Sequence, residues 1–262
     1  AAAAATIKLA AEPALKPRSE WTFLGKAKPA KLHLPQVVNG SATFGLDVKL
    51  PGMVYAAVKQ SPVHGGKLKS HKPDAVLKMP GVRAVIVLDP AKTVGSPVPA
   101  QATFGLRFTE TLSGVAVVAD HYWQAKQALE ALPVEWDPGE GAQWKTTEQV
   151  YEAARAKLGA GTGKVVAKAG DIDSVKPAKS LEAYYQTPFC EHMAMEPLNG
   201  TALYSKDKLE IWYPTQDTKQ AYWVAIDESG FAPENVHFNQ TFVGGGFGRR
   251  TASADLRTVV SV

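Results

Sequence analysis

The sequence predicts an α+β fold, with enough residues for one large domain or two smaller ones. Its 262 residues are 45% hydrophobic and 21% charged, which is the composition of a globular protein. The longest apolar runs, Val82–Leu88 and Val115–Ala119, have the length of strands and are too short for a membrane span. An amphipathic helix pattern follows at Tyr122–Leu132, so both kinds of element are expected.

Changes in composition divide the chain into four stretches. Prolines interrupt any longer helix near the start, and a charged, glycine-containing stretch separates two patterned units. The run Ala1–Ala5, which has no initiator methionine, and the uncapped end at Thr258–Val262 predict a truncated chain. The predicted stretches are an extended leader at 1–35, a first unit at 36–137, a connector at 138–178 and a second unit at 179–262.

Alternation and turn residues define the elements of the first unit. The turn Leu50-Pro51-Gly52 joins two alternating segments and predicts a hairpin. Pro80-Gly81 ends a short helix, and Pro90–Pro99 is predicted as a loop. The predicted elements are strands at Ser41–Val48, Met53–Lys59, Val82–Leu88, Gly114–Ala119 and Val134–Trp136, and helices at Pro73–Met79 and Tyr122–Leu132.

The connector and the second unit combine strands with capped helices. Thr147 is a plausible N-cap for a helix in the connector, and Thr215 for one in the second unit that Gly230 ends. An apolar-periodic segment begins at Asp255. The predicted elements are helices at Thr146–Leu158 and Gln216–Glu228, and strands at Leu181–Thr187, Thr201–Tyr204, Leu209–Tyr213 and Val236–Val243.

Cysteine usage and charge exclude several functions. With one cysteine, Cys190, the chain alone forms no internal disulfide and no cysteine-based zinc or iron–sulfur site. The formal net charge is +4, and the lysines are spread along the chain instead of being grouped with aromatic residues. A nucleic-acid partner is therefore not expected.

The glycine run Gly244–Gly248 is the strongest functional motif. Glycines accept positive φ and expose backbone N–H groups, which form a nest for anions, and Arg249 and Arg250 would add charge for a phosphate. The structural alternative is a bulge or a tight bend at the end of a strand. Neither the dinucleotide fingerprint nor the Walker A loop fits the spacing, so any phosphate here belongs to another cofactor.

A second motif, Pro214–Thr218, lies where a predicted strand meets a predicted helix. Polar side chains there can face a ligand, while the helix N–H groups attract negative charge. Simple N-capping by Thr215 is the alternative, and local chemistry favours it.

The third motif is the segment Cys190–Pro197. Glu191, His192 and Glu196 have side chains suited to metal binding or to acid–base work, and Cys190 is a candidate nucleophile beside His192. Because the segment lies between strands and not on a helix, a buried Glu/His hydrogen-bond network is favoured over a zinc site.

Together these motifs resemble one family, the molybdopterin-binding subunits of the xanthine dehydrogenase/aldehyde oxidase family. The pair Arg249-Arg250 and the segment Glu191–Pro197 resemble in particular the isoquinoline 1-oxidoreductase beta-subunit branch. Segments of the first unit resemble the family's α/β-hammerhead domain: Gly40–Asp47, Leu50–Val58 and Met79–Val82. The resemblance implies a hammerhead domain followed by the first part of a molybdopterin-binding domain.

The resemblance also implies a role for each matching residue. Gln216 would hydrogen-bond an oxygen ligand of the molybdenum, and the backbone of Gly245 and Gly246 would approach the pterin and the metal–oxygen ligands. Phe247 and Gly248 would line the metal site, and Arg249 would hold the cofactor. The implied cofactor is molybdopterin, in the form of the cytosine dinucleotide in many bacterial members. No catalytic residue is assigned, because the family's general-base glutamate is expected outside this chain.

The implied activity is hydroxylation of an aldehyde or of a carbon beside a ring nitrogen, with water as the oxygen source. Arg250 and Thr251 stand where xanthine-type enzymes place an acidic residue, which argues against a purine. The implied partners are the remaining segments of the subunit, a small [2Fe-2S] subunit and a c-type cytochrome; the resemblance favours a periplasmic or membrane-associated location. The alternative function is a non-catalytic interaction module that docks a partner subunit.

Overall fold

The computed structural model describes residues 14–26, 30–90, 112–161, 163–171, 174–251 and 254–262. The chain consists of two compact units, Ala1–Ala42 and Thr43–Val262. No helix in the described ranges is long and apolar enough to cross a membrane. In the described part of the unit Ala1–Ala42, α1 (Leu34–Asn39) is an α-helix that the sequence pattern did not predict. Pro35 suits its first turn, and Gly40 ends it in the left-handed conformation, with a φ of 77°.

The second unit mixes sheets and helices, so the predicted α+β class is confirmed. Its β-strands form two sheets of three strands and one of two. In chain order the described strands are β1 (Tyr55–Gln60), β2 (Lys67–His71), β3 (Val82–Leu88), β4 (Gly114–Ala119), β5 (Val134–Asp137), β6 (Thr201–Tyr204), β7 (Leu209–Tyr213) and β8 (Val236–Gln240). The described helices are α2 (Tyr122–Ala131), α3 (Thr147–Gly159), α4 (Thr218–Ser229) and α5 (Ala254–Ser261).

The first sheet has the order β1-β4-β3 and is antiparallel throughout. Every residue of β4 is buried, as expected for a central strand whose residues are all apolar or glycine. Helix α2 packs on this sheet through Ala125, Ala128 and Leu129, which lie three or four residues apart on one helix face. The apolar pattern therefore predicted both β4 and α2 correctly.

The predicted hairpin of Ser41–Val48 with Met53–Lys59 is wrong. Only Phe44 of the first segment forms a bridge, and residues 45–47 make a 3-10 turn in which the Asp47 carboxylate accepts from the Phe44 amide at 2.9 Å. Strand β1 pairs with β4 instead. The alternation was misleading because Ala42 and Val48 are buried although they lie outside any strand.

Two further predictions fail, and one strand was not predicted. The predicted helix Pro73–Met79 shortens to a 3-10 turn at Val76–Lys78, because prolines close both ends of a short segment. The predicted strand Leu181–Thr187 has no ladder partner in the described ranges. Strand β2 was not predicted, because its sequence is mainly lysine and polar residues. Except for Pro90, the loop predicted at Pro90–Pro99 lies outside the described residues. The run Ala1–Ala5 lies outside them as well.

The last sheet has the order β6-β7-β8, and its strands β7 and β8 are parallel. Helix α4 connects these two strands, forming a β–α–β unit. Helix α5 packs against α4, and Leu256 of α5 joins Ile211 and Val224 in one apolar core. Because β7 and β8 run in the same direction, the segments that follow them leave the sheet at the same edge.

Helix α4 begins two residues later than predicted. Its N-cap is Asp217, whose carboxylate accepts from the Gln220 amide at 3.0 Å, whereas Thr215 accepts from the Asp217 amide and forms a turn before the helix. Its C-terminus at Gly230 agrees with the prediction. Helix α3 likewise begins with Thr146, and not Thr147, as its cap.

We expect Asp217→Ala to lower the free energy of unfolding by about 1 kcal/mol, since a helix amide loses its acceptor. Urea denaturation followed by circular dichroism measures the change. Asp217→Asn is the matched control, because asparagine keeps a side-chain oxygen and should retain most of the stability. Equal losses in the two variants would contradict the assignment of Asp217 as the cap.

Because of Tyr204, at the end of β6, we expect the free energy of unfolding to fall in strong alkali. Its hydroxyl donates to the Val260 carbonyl at 2.8 Å, and burial, with a smaller effect of the nearby Glu228 carboxylate, raises its pKa to about 12. The unfolded chain releases this proton near pH 10, so this contribution to stability is present below pH 10 and is lost between pH 10 and 12. Tyr204→Phe should show a smaller decline than the wild type across this range; equal slopes would contradict the prediction.

Candidate functional site

The candidate site lies where the segments after β7 and β8 meet. Gln216 follows β7, and the glycine loop, Gly244–Gly248, follows β8. The backbone amide of Gln216 donates to the Arg250 carbonyl at 3.2 Å, and the side-chain Oε1 of Gln216 accepts from the backbone amide of Gly248 at 3.0 Å. Two motifs that lie about thirty residues apart in the sequence therefore form one site, as parallel strands require.

The backbone of the loop requires its glycines at particular places. Gly245 has a φ of 106° and Gly248 a φ of 88°, values that residues with a Cβ rarely adopt. Gly246 has an ordinary φ, but a Cβ there would overlap the side-chain amide of Gln216. Phe247 is the only described non-glycine residue with positive φ, at 52°, and its ring is 71% exposed. Backbone strain of this kind concentrates at functional sites.

The carbonyls of Gly244, Gly245 and Gly246 are bound by the protein, whereas the three amides that follow them are left open. The amides of Gly245, Gly246 and Phe247 donate to no group in the described part of the chain. Successive open amides of this kind form an anion-binding nest. The carbonyl bonds are Glu196 N to Gly244 O at 3.1 Å, Arg250 Nε to Gly245 O at 2.9 Å, and Arg249 N to Gly246 O at 2.8 Å.

Arg250 lies beneath the loop and is not available to a phosphate, contrary to the sequence prediction. Its side chain is 1% exposed, and its guanidinium is 3.3 Å from the Glu196 carboxylate. The guanidinium also donates to carbonyls of the two strand ends and of the Cys190–Pro197 segment. A buried arginine needs such a set of acceptors, because its donors cannot otherwise be satisfied.

Arg249 lies at the side of the loop and points toward α5. Its two terminal nitrogens meet the Asp255 carboxylate at 3.0 and 2.7 Å, and its side chain remains 28% exposed. The two neighbouring arginines therefore have different surroundings. Arg249 alone keeps a solvent-accessible guanidinium at the site.

The third motif lies on the other side of the site and lines a pocket of about 170 Å³ with the loop. The predicted buried network is found for Glu196, but the side chains of Glu191 and His192 are 80% and 44% exposed, and Cys190 is exposed. Among the described residues, no three His, Cys, Asp or Glu side chains are grouped to hold a metal ion. The residues that line the pocket are Glu191–Ala194, Glu196–Leu198, Gly246, Arg249 and Arg250.

Sequence reasoning missed the structural link between Glu196, Asn199 and Arg250. The Asn199 amide donates to the Glu196 carboxylate at 3.0 Å, and a Cβ on Gly45 would overlap Asn199. No spacing pattern could have indicated the pairing, since Glu196 and Arg250 are 54 residues apart. The sequence signal was an acidic residue between the apolar run Met193–Met195 and a proline.

The groups that the loop and Gln216 leave free are hydrogen-bond donors. Three backbone amides are open, and Gln216, whose Oε1 is engaged by Gly248, has only its Nε2 group left to present. The missing Cβ of Gly246 makes room for the side-chain amide of Gln216 against the loop. A donor-lined cradle suits a ligand rich in oxygen or negative charge, such as the oxygen ligands of a metal or a phosphate. The residues present therefore fit an oxygen-rich anionic cofactor.

Known proteins are similar to this chain in sequence and in fold. A model of the molybdopterin cofactor-binding domain matches residues 158–262. The chain is 29% identical over 247 residues to isoquinoline 1-oxidoreductase subunit beta of Brevundimonas diminuta, which covers 90% of this chain and 29% of that protein. It is 28% identical over 224 residues to the aldehyde oxidoreductase molybdenum-binding subunit PaoC of Escherichia coli K12, covering 82% and 30%.

A solved structure confirms the fold at lower sequence identity. Quinoline 2-oxidoreductase from Pseudomonas putida 86 superimposes with a TM-score of 0.58 and 16% identity, over 86% of this chain and 31% of that one. The chain thus spans about three tenths of the length of the relatives it matches. Residues 158–262, which contain the glycine loop and Gln216, are thus similar to the molybdopterin cofactor-binding domain.

Proposed function

We propose that this chain forms part of the cofactor cradle in a molybdenum hydroxylase that oxidises an aldehyde or an N-heterocycle. The observation that carries the proposal is the set of three open amides at Gly245, Gly246 and Phe247 beside the Nε2 group of Gln216. This set lies within the segment that matches the molybdopterin cofactor-binding domain. Two relatives, an isoquinoline oxidoreductase and an aldehyde oxidoreductase, support the two substrate classes by their names.

The residues of the cradle have separate tasks in this proposal. The three amides donate to oxygen atoms of the cofactor, and Gln216 donates from Nε2 because Gly248 fixes the orientation of its side-chain amide. Phe247 covers the site with its exposed ring, and Arg249 supplies positive charge from the edge. When bound, the molybdenum cofactor supplies the two-electron oxidation. Water provides the oxygen atom, and two protons are released with the two electrons.

Other parts of the machinery are assigned to neighbouring chains or segments. The general base is expected outside residues 1–262, and iron–sulfur clusters belong on a small partner subunit because Cys190 is the only cysteine. A c-type cytochrome as electron acceptor and a cytosine dinucleotide form of the cofactor are part of the same proposal. So is the identification of residues 36–137 as an α/β-hammerhead domain. The alternative, an interaction module without catalytic activity, is not favoured, since a model of a cofactor-binding domain matches residues 158–262.

Metal and pterin analysis of the protein, purified together with its accompanying chains, tests this function. We expect stoichiometric molybdenum, a fluorescent pterin after oxidative release and cytidine nucleotide on hydrolysis. Turnover of an aldehyde and of an N-heterocycle in heavy-oxygen water should place the heavy oxygen in the product, as a hydroxylase requires. A purified assembly that contains neither molybdenum nor pterin would refute the proposal.

A further inference from the structure

The buried pair Glu196–Arg250 has a role that the contacts of the cofactor do not require. Both side chains are almost completely buried, at 6% and 1% exposure, and face the inner side of the glycine loop. We propose that Glu196 and Arg250 are positioning residues that aim the amides of the loop outward and so set its affinity for oxygen atoms of a ligand. The identity of that ligand rests on the proposed function.

The planar peptide group links the direction of each carbonyl to that of the next amide. In a trans peptide the carbonyl and the N–H of the next residue point in opposite directions. The Gly244 carbonyl is held by the Glu196 amide, so the Gly245 amide points away from Glu196. The Gly245 carbonyl is held by Arg250 Nε at 2.9 Å, so the Gly246 amide points away from the guanidinium. All peptide bonds in the described part of the chain are trans.

Glu196 holds Gly244 from both its main chain and its side chain. Its backbone amide donates to the Gly244 carbonyl at 3.1 Å, and its Oε2 accepts from the Gly244 amide at 2.8 Å. Asn199 donates to the other carboxylate oxygen at 3.0 Å, which fixes the carboxylate in the plane that the loop needs. The first peptide groups of the loop therefore have no freedom to turn over.

Arg250 joins the loop to the two segments that flank it. Its NH2 group donates to the carbonyls of Glu196 at 2.7 Å and Pro197 at 3.0 Å, while NH1 donates to Pro214 at 3.4 Å. Nε is the nitrogen that binds Gly245. A single planar guanidinium thus connects the end of β7, the loop after β8 and the third motif, and no lysine could reach all of these acceptors.

Amide chemical shifts of the isotopically labelled 262-residue chain, titrated with inorganic phosphate alone, test the proposal. In the wild type the amides of Gly245, Gly246 and Phe247 should shift with a common dissociation constant. We expect Glu196→Ala to weaken this binding at least tenfold. Glu196→Gln should rescue it to within about threefold of the wild type, because glutamine still offers an oxygen to Gly244; a tenfold change in affinity corresponds to about 1.4 kcal/mol.

A merely structural role would give a different result. In that case Glu196→Ala would lower the melting temperature, yet its folded form would bind phosphate with the wild-type constant and the same shifts, which would overturn the proposal. An absence of shifts in the wild type would overturn it as well. If Glu196→Ala does not fold, Asn199→Ala serves instead, because it frees the Glu196 carboxylate but keeps the ion pair with Arg250. Asn199→Ala should weaken phosphate binding, and wild-type affinity in this variant would contradict the proposal. Absence of molybdenum and pterin from the assembly would refute the proposed function and leave this result unaffected.

Discussion

Replacement of Arg250 by alanine is expected to destabilise the protein by about 3–5 kcal/mol, the largest effect among the substitutions considered. The change leaves the Glu196 carboxylate buried without its cation, at 6% exposure. It also removes the donors to the carbonyls of Gly245 and Pro197. The carboxylate has little access to water, so solvation does not offset the loss of its cation. Urea denaturation, followed by tryptophan fluorescence and by circular dichroism, measures the difference.

Arg249→Ala is the matched control for that measurement. It removes the same side chain one residue earlier, but from a pair with Asp255 that remains 28% exposed on the arginine side. We expect a loss of at most about 1 kcal/mol, because partly solvated ion pairs contribute little. Comparable losses in the two variants would show that the burial of Arg250 does not determine its contribution.

The second large effect is expected on cofactor loading. In Gly246→Ala the new Cβ would overlap the Gln216 amide, so the glutamine must rotate away from the loop and release the Gly248 amide. Loss of one or two hydrogen bonds to a charged ligand, each worth about 1.5–3 kcal/mol, should lower the affinity for the cofactor by at least tenfold. Molybdenum and pterin content of the purified assembly, measured against total protein, reports the change.

Gly163→Ala is the control for this substitution. A Cβ at Gly163 would meet no neighbouring atom within 4 Å, and the residue lies outside the loop, so loading should equal that of the wild type. The melting temperature of Gly246→Ala should also remain close to the wild-type value, because its φ is ordinary and the glutamine is exposed. Full loading of Gly246→Ala would show that the orientation of Gln216 is unimportant for binding.

Strongly apolar elements could be predicted from the sequence because burial alone decides them. Strand β4 has a run of valine and alanine that only a central strand can bury, and its predicted bounds are confirmed. Strands β6 and β7 were likewise predicted with their bounds. In contrast, the segment Ser41–Val48 has the alternation of a strand but forms a turn, because the Asp47 carboxylate accepts a hydrogen bond from the backbone amide of Phe44. Such local competition leaves no mark on hydrophobic periodicity.

The site was predicted in its residues but not in its assembly. The glycine loop and Gln216 were both identified, yet their contact depends on the parallel pairing of β7 and β8, which the sequence of a strand does not specify. The different roles of Arg249 and Arg250 were also not predictable. Neighbouring side chains leave the backbone in different directions, so the Arg250 guanidinium is buried and the Arg249 guanidinium stays at the surface. The sequence does not show which of two adjacent arginines is the buried one.

The way the loop carbonyls are bound has a thermodynamic consequence. Because the carbonyls of Gly244, Gly245 and Gly246 are held by groups of the protein itself, the loop is ordered during folding. A ligand that arrives at the open amides therefore meets a surface whose conformational entropy has already been lost. Binding should consequently proceed with little change in backbone order. The selectivity of the cradle for its ligand therefore depends on the same hydrogen bonds that stabilise the fold.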